Sequence, residues 1–204
     1  MKRKIKYVII LLILLILFVL TTLNSYATTV SKNLSNNFFR LHILANSDSE
    51  FDQTLKLKVR DNIIKYMETQ NFSNASKEDV INSVQENLEK YQEIAEETIK
   101  DTGYNYPVSL KIGNFYFPTK EYGNISLPCG YYDALRIEIG EAKGQNWWCS
   151  LFPPLCFVDI SSGIVDEKSE KNLKESLSDE EFAIITNNNK QIKLKFKIVE
   201  LFSN

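Results

Sequence analysis

The chain has 204 residues, which is enough for one domain. Its hydrophobic content of 44% and charged content of 25% are typical of globular proteins and argue against a disordered chain. Without four basic residues close to the N-terminus, 20 basic and 26 acidic residues remain, a net charge of −6. This balance argues against a nucleic-acid partner, and against binding to an anionic membrane through charge alone.

The N-terminal segment has the pattern of an export signal. Four basic residues within the first six positions precede an uninterrupted apolar run at residues 7–20. As a helix this run would cover roughly 21 Å, less than the hydrocarbon core of about 30 Å. Small residues at Ser25 and Ala27 fit cleavage after Ala27, so residues 1–27 are predicted to be a signal peptide. The alternative is an uncleaved anchor lengthened by residues 21–23, and both place the remaining chain outside the cytoplasm.

The rest of the chain is predicted to form a single domain over residues 38–204, after a polar linker at residues 28–37. Residues 38–46 are predicted to be a strand, because apolar and polar side chains roughly alternate there. Residues 52–67 are predicted to be a helix, because apolar side chains recur every four positions on one face. The intervening Ser-Asp-Ser sequence offers capping side chains for that helix.

A second helix is predicted to begin at a capping box formed by Ser76 and Asp79. Its apolar stripe continues until Gly103, which ends it. Farther along, the charge run at residues 166–181 is typical of a short surface helix.

The remaining elements are predicted to be strands. Residues 106–118 are rich in β-branched and aromatic side chains, with a turn or a bulge expected at Gly113-Asn114. Residues 131–140 and 191–202 alternate apolar with polar side chains, whereas residues 122–130 are expected to be a loop. The fold class is therefore α+β, with two helices from the N-terminal half packed on a mainly antiparallel sheet, after the signal peptide.

No catalytic, metal or cofactor site is predicted. His42 is the single histidine, and nothing in the sequence brings it to Cys129, Cys149 or Cys156, as a cysteine hydrolase would require. A zinc site needs three or four ligands with short paired spacings, which the cysteines do not supply. The chain also lacks a glycine-rich phosphate loop.

The segment GQNWWCSLFPPLCFVDI, residues 144–160, is here called the apolar loop. Pro153 and Pro154 exclude a helix interior and a central strand, so this segment is a loop or the edge of a sheet. Trp147 and Trp148 must point to opposite sides if the chain is extended. Some of this apolar surface is therefore covered by another part of the fold or is exposed, and an exposed patch would mark contact with a partner or a membrane.

The cysteines of the apolar loop have two interpretations. Outside the cytoplasm, a disulfide between Cys149 and Cys156 can persist, and closing this loop would stabilise the fold by roughly 2–3 kcal/mol. The alternative is two buried thiols that only pack. Cys129 is left over in either case.

Two segments resemble the stage II sporulation protein R family of endospore-forming bacteria. They are RLHILANSDSEFDQTLKLKVRD at residues 40–61 and FPTKEYGNISLPCGYYDALRIEIGEAKGQNWWCSLFPPLCFVDI at residues 117–160. Strings such as NWWC and FPPLCF make the resemblance specific. Cys129 departs from the family pattern, in which a small residue without a thiol is expected after the proline.

The resemblance implies a secreted developmental signal. Members of the family are made in the forespore and exported into the space between the two sporulation membranes. There they activate a membrane-embedded aspartic protease of the mother cell, which then cleaves the sigma-E precursor. The resemblance therefore implies a non-enzymatic ligand whose partner is this protease.

We expect two groups of residues to contact the partner. The first belongs to the apolar loop and consists of Trp147, Trp148, Phe152, Pro153 and Pro154. The second is a polar cluster where the first strand meets the first helix, formed by Arg40, His42, Asn46, Asp48, Gln53 and Arg60, for which structural capping is the alternative. Two other functions stay open: a secreted cysteine hydrolase acting on cell wall or peptide, and a membrane or cell-wall binding module that would use the apolar loop.

Overall fold

The computed structural model of the chain describes residues 2–70, 72, 75–156, 165 and 167–186. Its helices are α1 (Lys2–Asn36), α2 (Glu50–Glu68), α3 (Lys77–Glu86), α4 (Leu88–Asp101), α5 (Glu167–Ser176) and α6 (Asp179–Thr186). Its strands are β1 (Phe39–Leu44), β2 (Val108–Phe117), β3 (Lys120–Tyr122), β4 (Ile125–Leu127), β5 (Gly130–Ile139) and β6 (Asn146–Phe152).

The four long strands form one sheet in the order β2-β5-β1-β6, and β3 pairs with β4 in a separate two-stranded sheet. β1 runs parallel to β5, whereas β1–β6, β2–β5 and β3–β4 are antiparallel. The α+β class and the mainly antiparallel sheet are therefore confirmed. The sequence did not predict the parallel pair, whose strands are separated along the chain by three helices and three strands.

The two faces of the sheet differ in what covers them. The helix-covered face presents Leu41 and Ile43 of β1, which belong to the same buried core as Leu55 and Val59 of α2. The buried apolar side chains of α2 recur on the helix face that packs on the sheet, as the sequence predicted. Helix α2 begins at Ser49, whose side chain accepts a hydrogen bond from the Asp52 amide. The opposite face, called the open face below, carries the side chains of Arg40, His42, Lys111, Arg136, Glu138 and Trp148, because register-paired residues point to the same side.

The predicted second helix is divided into α3 and α4 at Asn87. The predicted capping box at its start is present, with Ser76 and Asp79 each accepting from the other's backbone amide. Asn87 leaves the helical conformation, with φ −103° and ψ 16°, and its side-chain amide donates to the Ser83 carbonyl. Asparagine favours such local bonds, which compete with the helical hydrogen-bond ladder.

Two expectations for the strands are wrong. Gly113-Asn114 is neither a turn nor a bulge, because β2 pairs with β5 in unbroken register through both residues. The expected loop at residues 122–130 contains the short strand β4. The charge run at residues 166–181 contributes to α5 and α6, and Leu173 of α5, Leu177 between the two helices and Ile185 of α6 are buried in the core. The strand predicted at residues 191–202 lies outside the described residues.

The segment expected to be a linker, residues 28–37, is helical as far as Asn36. Leu34 is fully buried, and the Ser31 hydroxyl donates to the Cys129 carbonyl at 2.6 Å. Ser31 can approach this closely because Gly130 has no side chain, and an added Cβ there would meet the Ser31 hydroxyl. One helical turn with two buried positions is too short to produce a visible period in the sequence.

The N-terminal part of α1 is long enough to cross a membrane. Residues Lys4–Leu23 form a 20-residue apolar span with a mean hydropathy of 2.8, and this span makes no buried contacts with the rest of the described chain. It extends beyond the apolar run of residues 7–20 in both directions. An export signal and an N-terminal anchor both fit such a helix, so cleavage after Ala27 stays a prediction.

Candidate functional site

The apolar loop begins as an edge strand, in agreement with the placement that its prolines predicted. β6 pairs with β1 alone among the described strands, and Cys149 lies opposite Leu41. Cys149 and Cys156 are joined in a disulfide, with their Cα atoms 5.1 Å apart. Cys129 is buried and takes no part in it. The disulfide ties the turn that follows β6 back to the sheet.

Most of the apolar surface of the described part of this loop, residues 144–156, is covered by the fold. After β6 the chain turns through a cis Phe152–Pro153 bond, and the Leu155 amide donates to the Ser150 carbonyl at 2.9 Å. Pro153 and Leu155 are buried, while Phe152 and Pro154 are half-buried. Residues 144–156 of the loop are therefore chiefly a tied part of the core, with limited apolar surface left for a partner.

The two tryptophans lie on opposite faces of the sheet, as the extended conformation predicted. Trp147 pairs with Ile43 on the helix-covered face, where the Arg60 guanidinium carbon is 4.2 Å from the centre of an indole ring. Trp148 pairs with His42 on the open face, and their rings stack with centroids 3.7 Å apart and planes 14° apart. Both tryptophans are half-buried. They therefore cannot act as one continuous patch.

Trp148 belongs to an aromatic cluster on the open face, formed by Arg40, His42, Phe117, Tyr132 and Trp148. The Phe117 ring meets Trp148 edge to face at 4.7 Å and His42 at 5.8 Å. The Arg40 guanidinium carbon lies 4.1 Å from the Phe117 ring centre and 4.8 Å from that of Tyr132. Edge-to-face and cation–π contacts of this kind fix the orientation of the rings, so Trp148, the one half-buried member of an otherwise buried cluster, is held in a fixed orientation.

Arg40 is a buried cation that has no salt-bridge partner among the described residues. Its side chain has no exposed surface, and its Nη2 donates to the Tyr122 hydroxyl at 2.7 Å. Its Nη1 has no hydrogen-bond partner, and no carboxylate of the described residues forms a salt bridge with it. A charge buried in this way costs several kcal/mol unless it is compensated. The cluster therefore contains a fixed positive charge beneath its surface.

His42 is held in the neutral form. Its Nε2 lies 2.9 Å from the Asn146 side-chain oxygen, and only 5% of the residue is exposed. Burial lowers the pKa of His42 from 6.5 to about 4, and the charges of Arg136 and Arg40 act in the same direction. The hydrogen bond with Asn146 and the charge of Glu138 oppose this shift. If Nε2 carries the proton that Asn146 accepts, Nδ1 is an acceptor, and it has no partner.

The geometry does not assemble either cysteine of the apolar loop with an imidazole base. Cys149 lies opposite Leu41, so its side chain leaves the sheet on the face away from His42. Both sulfur atoms of the apolar loop are also in the disulfide, and a disulfide has no thiolate with which to attack. Across residues 2–70, 72, 75–156, 165 and 167–186, no group of three potential metal-ligating His, Cys, Asp or Glu side chains occurs.

Two residues of the expected polar cluster hold the segment that leads into β6, and a third ties α2 to the loop that precedes it. The Asn46 side-chain oxygen accepts from the Glu141 amide at 2.9 Å, and Asp48 accepts from the Gln145 amide at 2.7 Å. The Gln53 side-chain amide donates to the Ser47 carbonyl at 2.9 Å. A structural role accounts for these three residues, as it does for Arg60 beside Trp147. The sequence could not show this, because the two segments are about 95 positions apart.

Sequence reasoning missed the charged residues of the open face. Lys111, Arg136 and Glu138 occupy the polar positions of alternating strands, which look like an ordinary solvated face. The available signal was the alternation itself: once β5 is paired with β1, Arg136 must neighbour His42. The pairing of β5 with β1 was not predicted, so the contact between Arg136 and His42 was not predicted either.

Comparison with known proteins gives two matches. The family model described as stage II sporulation protein R matches residues 35–162, which include all six strands and every contact residue expected from the sequence. The chain is 44% identical over 133 residues to Stage II sporulation protein R of Bacillus subtilis (strain 168). This similarity covers 65% of the chain and 59% of that relative, so the shared part is less than two thirds of the relative's length. No solved structure matches the chain.

Proposed function

The chain belongs to the stage II sporulation protein R family, and from this premise we propose that it is a secreted, non-enzymatic signalling protein of endospore formation. It is exported from the forespore into the space between the two sporulation membranes. There it activates a membrane-embedded aspartic protease of the mother cell, which cleaves the sigma-E precursor. The resemblance of residues 40–61 and 117–160 to the family supports each of these steps.

The N-terminal helix supports export. Basic residues precede the apolar span Lys4–Leu23, as in the head and middle of a signal sequence. The domain that follows carries more acidic than basic groups and has buried its own core without the span. We therefore assign export to the apolar span of α1 and the signalling activity to the domain that follows it.

The observation that carries the contact proposal is the position of Trp148. Its ring lies on the open face, stacked on a neutral imidazole and held by Phe117, and part of it is still exposed. Phe152 and Pro154 keep some exposed surface and extend the proposed contact along the loop. A rigid, half-buried aromatic ring can enter a pocket of a partner at a low cost in conformational entropy.

The other expected contact residues take supporting roles in this proposal. Arg40, His42 and Pro153 are buried and position the contact surface from below. Trp147 lies on the other face, against Arg60, and it anchors β6 to α2. The Cys149–Cys156 disulfide keeps the loop in one shape.

The test is co-expression of the full chain with the protease and the sigma-E precursor. Trp148→Ala should abolish most precursor processing, since it removes the central aromatic ring of the contact. Tyr131→Ala is the matched control: Tyr131 is 65% exposed and lies five positions along β5 from Arg136, the neighbour of His42. The control should process normally.

Two outcomes would contradict the proposal at different levels. Normal processing by a well-expressed Trp148→Ala chain would place the contact elsewhere. Failure of the unaltered chain to support processing would overturn the assignment of the protease as its partner. Circular dichroism of each purified chain shows whether the fold is intact.

A further inference from the structure

A row of side chains crosses the open face from one edge of the sheet to the other. Strand register places Lys111 of β2 beside Arg136 of β5, Arg136 beside His42 of β1, and His42 beside Trp148 of β6. This set of four is called the basic row. Its two cationic members are accessible, with 63% of the Lys111 side chain and 29% of the Arg136 side chain exposed.

Positive charge exceeds negative charge along the basic row. Arg136 pairs with one oxygen of Glu138 at 2.8 Å, and Lys111 approaches the other oxygen at 3.5 Å. One carboxylate therefore serves two cations. Arg40 adds a third positive charge beneath the row without a carboxylate of its own among the described residues. The excess is local, because the chain as a whole has a net charge of −2.

The hydrogen-bonding capacity of the row is only partly used. Arg136 binds Glu138 through one Nη atom, whereas its Nε has no hydrogen-bond partner. Its guanidinium carbon lies 5.2 Å from the centre of the Phe115 ring, which orients the group. A guanidinium presents a planar fork of donors that fits a carboxylate in a bidentate manner. The Arg136 Nε is itself buried, so an approaching carboxylate would meet Arg136 through the 29% of its side chain that is exposed.

We propose that the basic row binds an acidic, extended segment of a partner protein. Carboxylates of that segment pair with Lys111 and Arg136, and its next side chain packs on the exposed part of Trp148. Four neighbouring strands span about 14 Å, which is the length of roughly four extended residues. This inference rests on the proposed function, and it assigns the segment to the extracytoplasmic side of the protease.

The electrostatic character of the row favours this kind of partner. On an otherwise acidic chain, a cationic patch directs an acidic partner segment to this one place, because the rest of the surface repels that segment. An anionic membrane would present a broad negative surface to the whole domain, and the net charge opposes that contact. A membrane is therefore the competing outcome in the test.

The experiment measures capture of the full-length protease by the full chain, both in detergent. Lys111→Glu with Arg136→Glu should lower the captured fraction by roughly tenfold or more, since like charges then face the acidic segment. The matched control reverses two exposed cations of α2, Lys58→Glu with Lys65→Glu, which changes the net charge equally. The control should bind as the unaltered chain does.

A second variant guards against loss of folding. Lys111→Gln with Arg136→Gln removes the charges without adding repulsion next to Glu138, and it should weaken capture and reduce its dependence on salt. Equal capture by this variant and by the unaltered chain, at low and at high salt, would overturn the inference while leaving the proposed partner intact. So would loss of binding to vesicles of anionic lipid with no change in protease capture. Absence of capture by the unaltered chain would instead refute the proposed function.

Discussion

The neutral state of His42 predicts that the free energy of unfolding falls as the pH is lowered from 7 to 5. Burial holds the pKa of His42 at about 4 in the folded chain, against 6.5 for an exposed imidazole. Arg40 and Arg136 reinforce the shift, while Asn146 and Glu138 oppose it. Between pH 6.5 and about pH 4 the unfolded chain binds a proton at His42 that the folded chain does not. Lowering the pH through this range therefore favours unfolding.

The size of this effect follows from the two pKa values. At pH 7 both states are largely neutral, and His42 contributes almost nothing to the pH dependence. At pH 5 the unfolded imidazole is mostly protonated, which lowers the free energy of unfolding by about 2 kcal/mol. Below pH 4 the loss reaches its limit of about 3 kcal/mol. Buried carboxyl groups with lowered pKa values, such as Asp52, add to the loss mainly below about pH 4.

Two measurements check this prediction. Urea unfolding of the full chain in detergent at pH 7 and pH 5 gives the change in free energy, and His42→Gln should remove most of it. Because His42 is the single histidine, its ring proton signals in NMR report its pKa without ambiguity. A folded-state pKa near 6.5, or the same pH dependence in the variant, would refute the argument that burial keeps the imidazole neutral.

Three further predictions concern stability and connectivity. Leu34→Ala should lower the free energy of unfolding by about 2–5 kcal/mol in urea titrations, because Leu34 is fully buried although it lies in the expected linker; a smaller change than 1 kcal/mol would mean that this turn is not part of the core. Gly144→Ala should lower it by roughly 2 kcal/mol or more, because the added methyl group would meet the Ser47 carbonyl, and an unchanged unfolding midpoint would contradict this close approach. Alkylation of the denatured chain without reductant should add one group by mass, at Cys129, whereas three added groups would disprove the Cys149–Cys156 disulfide.

Local signals in the sequence were sufficient for the elements whose interactions are local. The capping box at Ser76 and the apolar period of α2 involve residues three or four positions apart, and both are present. The opposite orientations of Trp147 and Trp148 follow from the period of an extended chain alone. Such features are determined by residues that are close together in the sequence.

Features that depend on distant partners were not predictable in this way. The parallel pairing of β1 with β5 brings Arg136 to His42 across 94 positions, and no local pattern encodes it. The burial of Pro153 also depends on what covers the loop, so the sequence left open whether its apolar surface is covered or exposed. The sequence therefore indicated the edge position of β6 and the orientations of its two tryptophans. It did not indicate the neighbouring charges of Lys111, Arg136 and Glu138, which come from β2 and β5.

The continuity of α1 has a consequence for the order of events during export. The predicted cleavage position after Ala27 lies four residues before Ser31, about 6 Å along the helix, and Ser31 is already fixed to the Cys129 carbonyl. A peptidase that acts there must reach a turn of helix immediately next to the finished domain. Cleavage at this predicted position would therefore compete with completion of the fold for the same stretch of chain.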